Sequence, residues 1–173
     1  MNSSFFSIPV RIEALRVEAG RWPGTPFINY GAVAGGAGGA SCHCLAAAML
    51  AGAGWRLGEA LPRIPVNYAS QTSDSVMLPW LRARPEKLQE IVPADLASIL
   101  PGDLIVAKLD LCEHHLGTAL PAGVVHPDGR VLGDGLVLHT LRRIGAHVIG
   151  IGDPFFTSNF VALFRPLDWE AAP

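Results

Sequence analysis

The sequence predicts an α+β fold, with helices in the first half laid on one face of a mostly antiparallel sheet in the second. Three observations carry this. Helix-spaced apolar residues with stop glycines dominate the early chain. At Pro101-Gly102-Asp103 the pattern changes to short apolar runs, and Pro127-Asp128-Gly129 is a hairpin signal among them.

From Pro9 to Gly20 the apolar positions Val10, Ile12, Leu15, Val17 and Ala19 partly follow a helix face, and Gly20 stops it. Trp22 to Ala40 holds prolines and repeated glycines and reads as a loop. Ser41 is a good N-cap for the helix formers from Cys42 to Ala51, which Gly52 and Gly54 close. That helix is apolar nearly all round and is therefore expected inside the domain. Residues 55–73 form a connecting excursion. A second helical region is expected from Ser73 or Ser75 to about Ile91, interrupted at Pro79 or Pro85, with a further turn of helix after Pro93. Strands are expected at Leu104–Leu109, His115–Leu120, Gly123–His126, Arg130–Leu132, Leu136–Leu141, Val148–Ile151 and Phe160–Phe164.

The 173 residues fit one domain, 1–173. Half are apolar and 16% are charged, enough to build a core. A net charge of -2 offers no broad positive surface, which argues against nucleic acid as partner. Met1 to Ile8 carries no basic leader, and Leu45–Gly54 is far too short to span a bilayer, so no membrane span is expected. Cys42 and Cys44 stand too close together to staple a fold, and the cysteine count of 3 is odd. A reducing compartment, the cytoplasm by default, is the expectation. No cofactor is called for, and oligomeric state is not encoded.

A thiol is nucleophilic as thiolate, and free amide groups with the positive dipole at a helix start favour that anion. Cys42 is placed to use both, and its own amide can help bind an oxyanion. The plain alternative is that Cys42 and Cys44 are small core residues. His115, in Glu113-His114-His115-Leu116-Gly117-Thr118-Ala119-Leu120, brings a base onto a strand near the first one. His114 reads as a solvated loop residue. His139, alternating with apolar neighbours in Val137-Leu138-His139-Thr140-Leu141, either orients the His115 ring or is a satisfied core histidine. His126, beside the hairpin tip, is expected to be exposed.

Several patches together resemble the NlpC-type papain-like cysteine peptidases, bacterial cell-wall endopeptidases that also occur in phage tail assemblies. They are Gly24-Thr25-Pro26-Phe27, Tyr30-Gly31, Cys42 with Leu45, Pro101-Gly102-Asp103-Leu104, His115-Leu116-Gly117, Leu138-His139 and the closing Val161-Ala162-Leu163-Phe164-Arg165-Pro166. The resemblance implies a papain-like fold, Cys42 as nucleophile, His115 as general base, His139 as the orienting third residue, and a peptide or peptidoglycan fragment as substrate. Substrate-side positions follow from the same resemblance. Phe27 stands where many members carry a tyrosine that helps the oxyanion site, so either Tyr30 substitutes for it or that donor is missing. Ser41 stands where an aspartate is common, and His43 is bulkier than the family's small residue after the nucleophile.

Two rival readings come from other classes. The altered flanks of Cys42 allow an inactive assembly or binding module on the same scaffold. Cys42, His43, Cys44, Cys112, His114 and His115 allow a zinc site, although Cys-x-Cys is an uncommon spacing.

Overall fold

The computed structural model describes residues 3–169; Met1, Asn2 and residues 170–173, the ends of the expected domain, lie outside the described residues. Helix α1 spans Pro9–Ala19, with proline in its first turn and Gly20 at its C-cap. Proline there loses no helical hydrogen bond and pre-sets φ. The loop after it contains a small ladder, β1 (Ala32–Val33) and β2 (Gly39–Ala40), and ends at α2, Cys42–Gly52. Helix α3, Met77–Arg82, follows the excursion.

Six strands make the main sheet: β3 (Leu88–Glu90), β4 (Leu104–Leu109), β5 (Cys112–Ala119), β6 (Leu136–Leu141), β7 (Gly145–Gly150) and β8 (Phe160–Pro166). Their order is β3-β8-β4-β5-β6-β7, and every neighbouring pair is antiparallel. The fold is α+β, as the sequence pattern predicts. Alternation along the strands divides the core in two. Leu104, Val106, Leu116, Leu138 and Phe164 pack with Leu45, Met49 and Leu50 of α2. Ile105, Ala107, Ala119, Val137 and Leu163 pack with Phe156 on the other face.

Phe156 belongs to helix α4, Pro154–Asn159, which the sequence reading lacks. Asp153 caps α4 by accepting from the Phe155 amide at 2.8 Å. The expectation of helices on one face is therefore corrected: α4 covers the second. The helix expected to run to Ile91 stops at Arg82, and Leu88–Glu90 pairs with β8 as an edge strand. A free β8 edge offered backbone partners that outweigh the weak helix preference of three residues. The strands expected at Gly123–His126 and Arg130–Leu132 reduce to one bridge, Val125 to Val131. Both valines are more than half exposed, so no buried face holds a longer ladder there.

Two sequence patches serve the scaffold. Asp103, fully buried, takes both oxygens to Arg165 of β8, at 3.0 Å from Nε and 2.8 Å from Nη2, and accepts from the Leu100 amide at 2.9 Å. This ties the start of β4 to the closing strand. The Thr25 hydroxyl accepts from the Gly35 amide at 2.8 Å, while Gly24 and Thr25 exchange backbone hydrogen bonds of 2.8 Å with Ala146 of β7. Gly145 has φ +80, and a Cβ there would lie 2.5 Å from the Thr25 carbonyl oxygen. The loop preceding Cys42 is thus anchored to the far edge of the sheet. Among the described residues no helix is long and apolar enough to cross a membrane.

Candidate active site

The α2 start and the β5 strand meet at a cleft of about 180 Å³, lined among others by Phe27, Cys42, His114 and His115. Cys42 is the first residue of α2. Its sulfur lies 3.8 Å from the His114 carbonyl oxygen and 3.9 Å from Nδ1 of His43. His115 stands opposite Ala107 in the β4–β5 ladder, whereas Lys108 stands opposite Glu113. His114 is the extra residue of this bulge. It brings the strand backbone to the thiol, while His115 falls on the α4 face with Gly117 and Ala119.

His139 of β6 stands opposite Gly117, next along that face. Its Nδ1 lies 2.9 Å from Nε2 of His115, with the rings at 87° to each other. This pairing engages Nε2 of His115 and leaves Nδ1 as the ring's other nitrogen. Gly117 makes room: a Cβ there would lie 2.7 Å from the Phe156 ring. Phe155 packs against both imidazoles, 5.2 Å from His115 and 5.1 Å from His139 by ring centroids.

Burial decides the electrostatics. It pushes the Cys42 thiol up, against the backbone N–H groups of Leu116, His43 and Cys42, which favour the anion. The lowered thiol expected from the helix start is overridden by desolvation. Burial also drives His115 well below the usual imidazole value, with the neighbouring rings of His139, His114 and His147 acting in the same direction. His139 is lowered to about 3, by burial and then by His147. The resting pair is therefore neutral thiol and neutral imidazole. Among the described residues the thiol makes no hydrogen bond to His115.

The substrate-side residues separate. Phe27 lines the cleft and bridges in parallel to Ala40 just before α2. Tyr30, at φ +60, sets its ring edge toward His43 at 6.4 Å instead. His43 is buried against the apolar residues under α2 and α3, including Leu50, Met77, Trp80 and Leu116, and burial lowers it to about 4. Ser41 makes no side-chain cap; its hydroxyl is buried without a partner among the described residues, and the α2 start relies on the Leu45 amide donating to the Ser41 carbonyl at 2.7 Å. His114 is half-buried in the cleft wall rather than solvated in a loop. His126, expected exposed, is half-buried and set 2.8 Å from an oxygen of Asp128.

Other cleft residues escaped the sequence reading. Asn67, Ser70, Asp110, Thr140 and Arg142 line it, and Arg142 donates to the Asn67 amide oxygen at 2.9 Å. With the Leu111 amide donating to the Ala69 carbonyl at 2.9 Å, this fastens the 65–70 segment across the cleft. His147, whose ring lies against His139 with centroids 4.2 Å apart, was also missed. Its signal was the short Arg142-Arg143-Ile144 loop, which sets the register that places it opposite His139.

Two solved structures share this arrangement of helices and strands. A protein of Staphylococcus aureus, described as similar to a lipoprotein of the NLP/P60 family, matches with a TM-score of 0.56 at 16% identity over 96% of this chain. An NlpC/P60 family protein of Bacillus cereus matches with a TM-score of 0.52 at 17% identity over 90% of it. The chain has the NlpC/P60 fold. It spans 44% and 40% of those two proteins. No family model matches the sequence, and no curated protein does. Within the NlpC/P60 fold the six Cys and His residues of the zinc reading do not converge: no group of three metal-ligating side chains forms among the described residues.

Proposed function

We propose that this protein is a cysteine hydrolase of amide bonds, acting on a cell-wall peptide. The observation that carries the reading is the His115–His139 pair, joined at 2.9 Å, beside a helix-start cysteine in the same cleft. The NlpC/P60 fold supports the substrate class as analogy. Cys42 is the nucleophile, His115 the base and His139 the orienting residue.

The chemistry runs as acyl transfer. Nδ1 of His115 takes the Cys42 proton as sulfur attacks the amide carbonyl, and the Cys42 amide sits where the oxyanion forms. The imidazolium returns that proton to the leaving amine, and the C–N bond breaks to give a thioester. Water then loses a proton to His115, attacks the thioester, and releases the acid while sulfur regains its proton. Starting from a neutral pair, the proton moves only as the substrate carbonyl arrives and the cleft is closed to water.

The test is digestion of purified peptidoglycan peptides, read by mass spectrometry, with Cys42→Ala as control. New termini from the native chain and none from the variant are expected. Native protein that leaves a broad panel of such peptides and small amides intact would refute the hydrolase. A second reading, the inactive binding module, draws on the raised thiol and the absent Cys42–His115 hydrogen bond. It predicts peptide binding that Cys42→Ala leaves unchanged, with no product.

A further inference from the structure

We propose that His147 is a positioning residue for the His115–His139 pair, fixing the tautomers of both rings and opposing positive charge on them. The proposal rests on the hydrolase reading for its purpose. Its register and distances are independent of that reading, whereas the tautomers assigned to His115 and His139 follow from it.

Across β5, β6 and β7 the register aligns Gly117 with His139 and His139 with His147. Paired residues share a face, so the three imidazoles of His115, His139 and His147 form one connected group on the α4 side. The rings of His139 and His147 are 4.2 Å apart by centroid and tilted by 48°. Nδ1 of His147 lies 3.0 Å from the Gly145 carbonyl oxygen. A carbonyl only accepts, so that nitrogen carries the proton and Nε2 of neutral His147 keeps its lone pair.

The rest of the chain follows from one requirement. If Nδ1 of His115 is to receive the thiol proton, its Nε2 carries hydrogen and donates to Nδ1 of His139. The proton of neutral His139 is then on Nε2. That nitrogen is buried and has no protein partner among the described residues. The adjoining ring of His147, with its lone pair on Nε2 and its N–H committed to Gly145, is the polar neighbour that tolerates such a group.

Charge acts in the same direction. The groups facing His139 are His115 on β5, His147 on β7 and Asp153 before α4. His114 adjoins His115, while His126 and Arg130 share a second cavity with His147. Arg130 and His126 are both engaged by Asp128, and the Asp153 carboxylate caps α4. The His147 ring opposes positive charge on both His139 and His115, while the Asp153 carboxylate acts the other way on His139.

The experiment is imidazole nitrogen NMR on the full chain and its His147→Phe and His147→Gln variants, titrated from pH 8 to 2.5. The native chain is expected to show hydrogen on Nε2 of His115 and His139 and on Nδ1 of His147. Both variants are expected to raise the His139 protonation midpoint by about half a unit or more and to mix its tautomers, with the amide spectrum outside β6 and β7 unchanged. In turnover assays the acid limb of kcat/KM moves to higher pH, since His115 is protonated earlier. An unchanged His139 tautomer and midpoint in either folded variant overturns the proposal. The NMR readout needs no substrate, so this failure is distinguishable from failure of the hydrolase reading.

Discussion

His115 and His139 meet edge to face across neighbouring strands, Nε2 to Nδ1 at 2.9 Å with ring planes at 87°. The contact restrains the His115 ring about its χ angles and assigns its second nitrogen to one partner. Replacing His139 with Ala removes that partner and lets the ring rotate, so turnover is expected to fall on the order of 10²-fold. His139→Asn, whose amide oxygen accepts a hydrogen bond, should recover part of the loss. Steady-state kinetics of the two variants decide it: equal losses in both would show that the ring's bulk, rather than its hydrogen bond, is what matters.

Gly117 is set by space. A Cβ would sit 2.6 Å from a Val137 methyl and 2.7 Å from the Phe156 ring. Gly117→Ala is expected to lower stability by about 1–3 kcal/mol through overpacking, and to displace α4 from both imidazoles. Urea unfolding checks the first effect; ring-current shifts of the His115 and His139 protons check the second.

The Asp103–Arg165 pair is a scaffold feature with a one-sided cost. Arg165→Ala leaves a fully buried carboxylate without its cation, and a loss of about 3–5 kcal/mol is expected. Combining it with Asp103→Asn should cost less than the sum of the single changes, because the stranded charge is then absent. Additive losses in a double-mutant cycle would rule out direct coupling.

Acid should destabilise the fold before it reaches the carboxylates. His43 is lowered to about 4 and His139 to about 3, from an ordinary 6.5. Both are depressed in the folded state, so the unfolded chain binds protons first. Their contribution is complete above pH ~6.5 and is lost as pH falls toward those folded values, on the order of 3–5 kcal/mol for each. Thermal melts from pH 7.5 to 4 should show Tm declining over that range. His43→Leu should flatten the decline, and a slope identical to the native one would remove His43 from the explanation.

Local signals made much of this legible. Pro9 and Gly20 bracket α1, the alanine-rich run after Ser41 gives α2, and the alternation from Leu136 to Leu141 matches β6 residue for residue. Cys42, His115 and His139 could be singled out because each sits at a marked place in such a pattern. What escaped depends on partners distant in sequence. Leu88–Glu90 is a strand only because β8 lies beside it, and α4 spans six residues, its Asp153-Pro154 start being the one clue. His147 gains meaning only from the β6–β7 register. The direction of the Cys42 shift was misjudged for a related reason: helix-start amides are visible in sequence, whereas the desolvation that outweighs them belongs to the assembled protein.

The bulge at His114 places a requirement on spacing rather than on identity. His114 faces neither Ala107 nor Lys108 across the ladder, so losing one position here would close the ladder with His115 still opposite Ala107 and would withdraw the carbonyl that lies 3.8 Å from the Cys42 sulfur. What the extra residue delivers to the sulfur is its backbone carbonyl. Chains sharing this architecture are thus best aligned by the number of residues separating the β4–β5 turn from the histidine, even where no letter between them agrees.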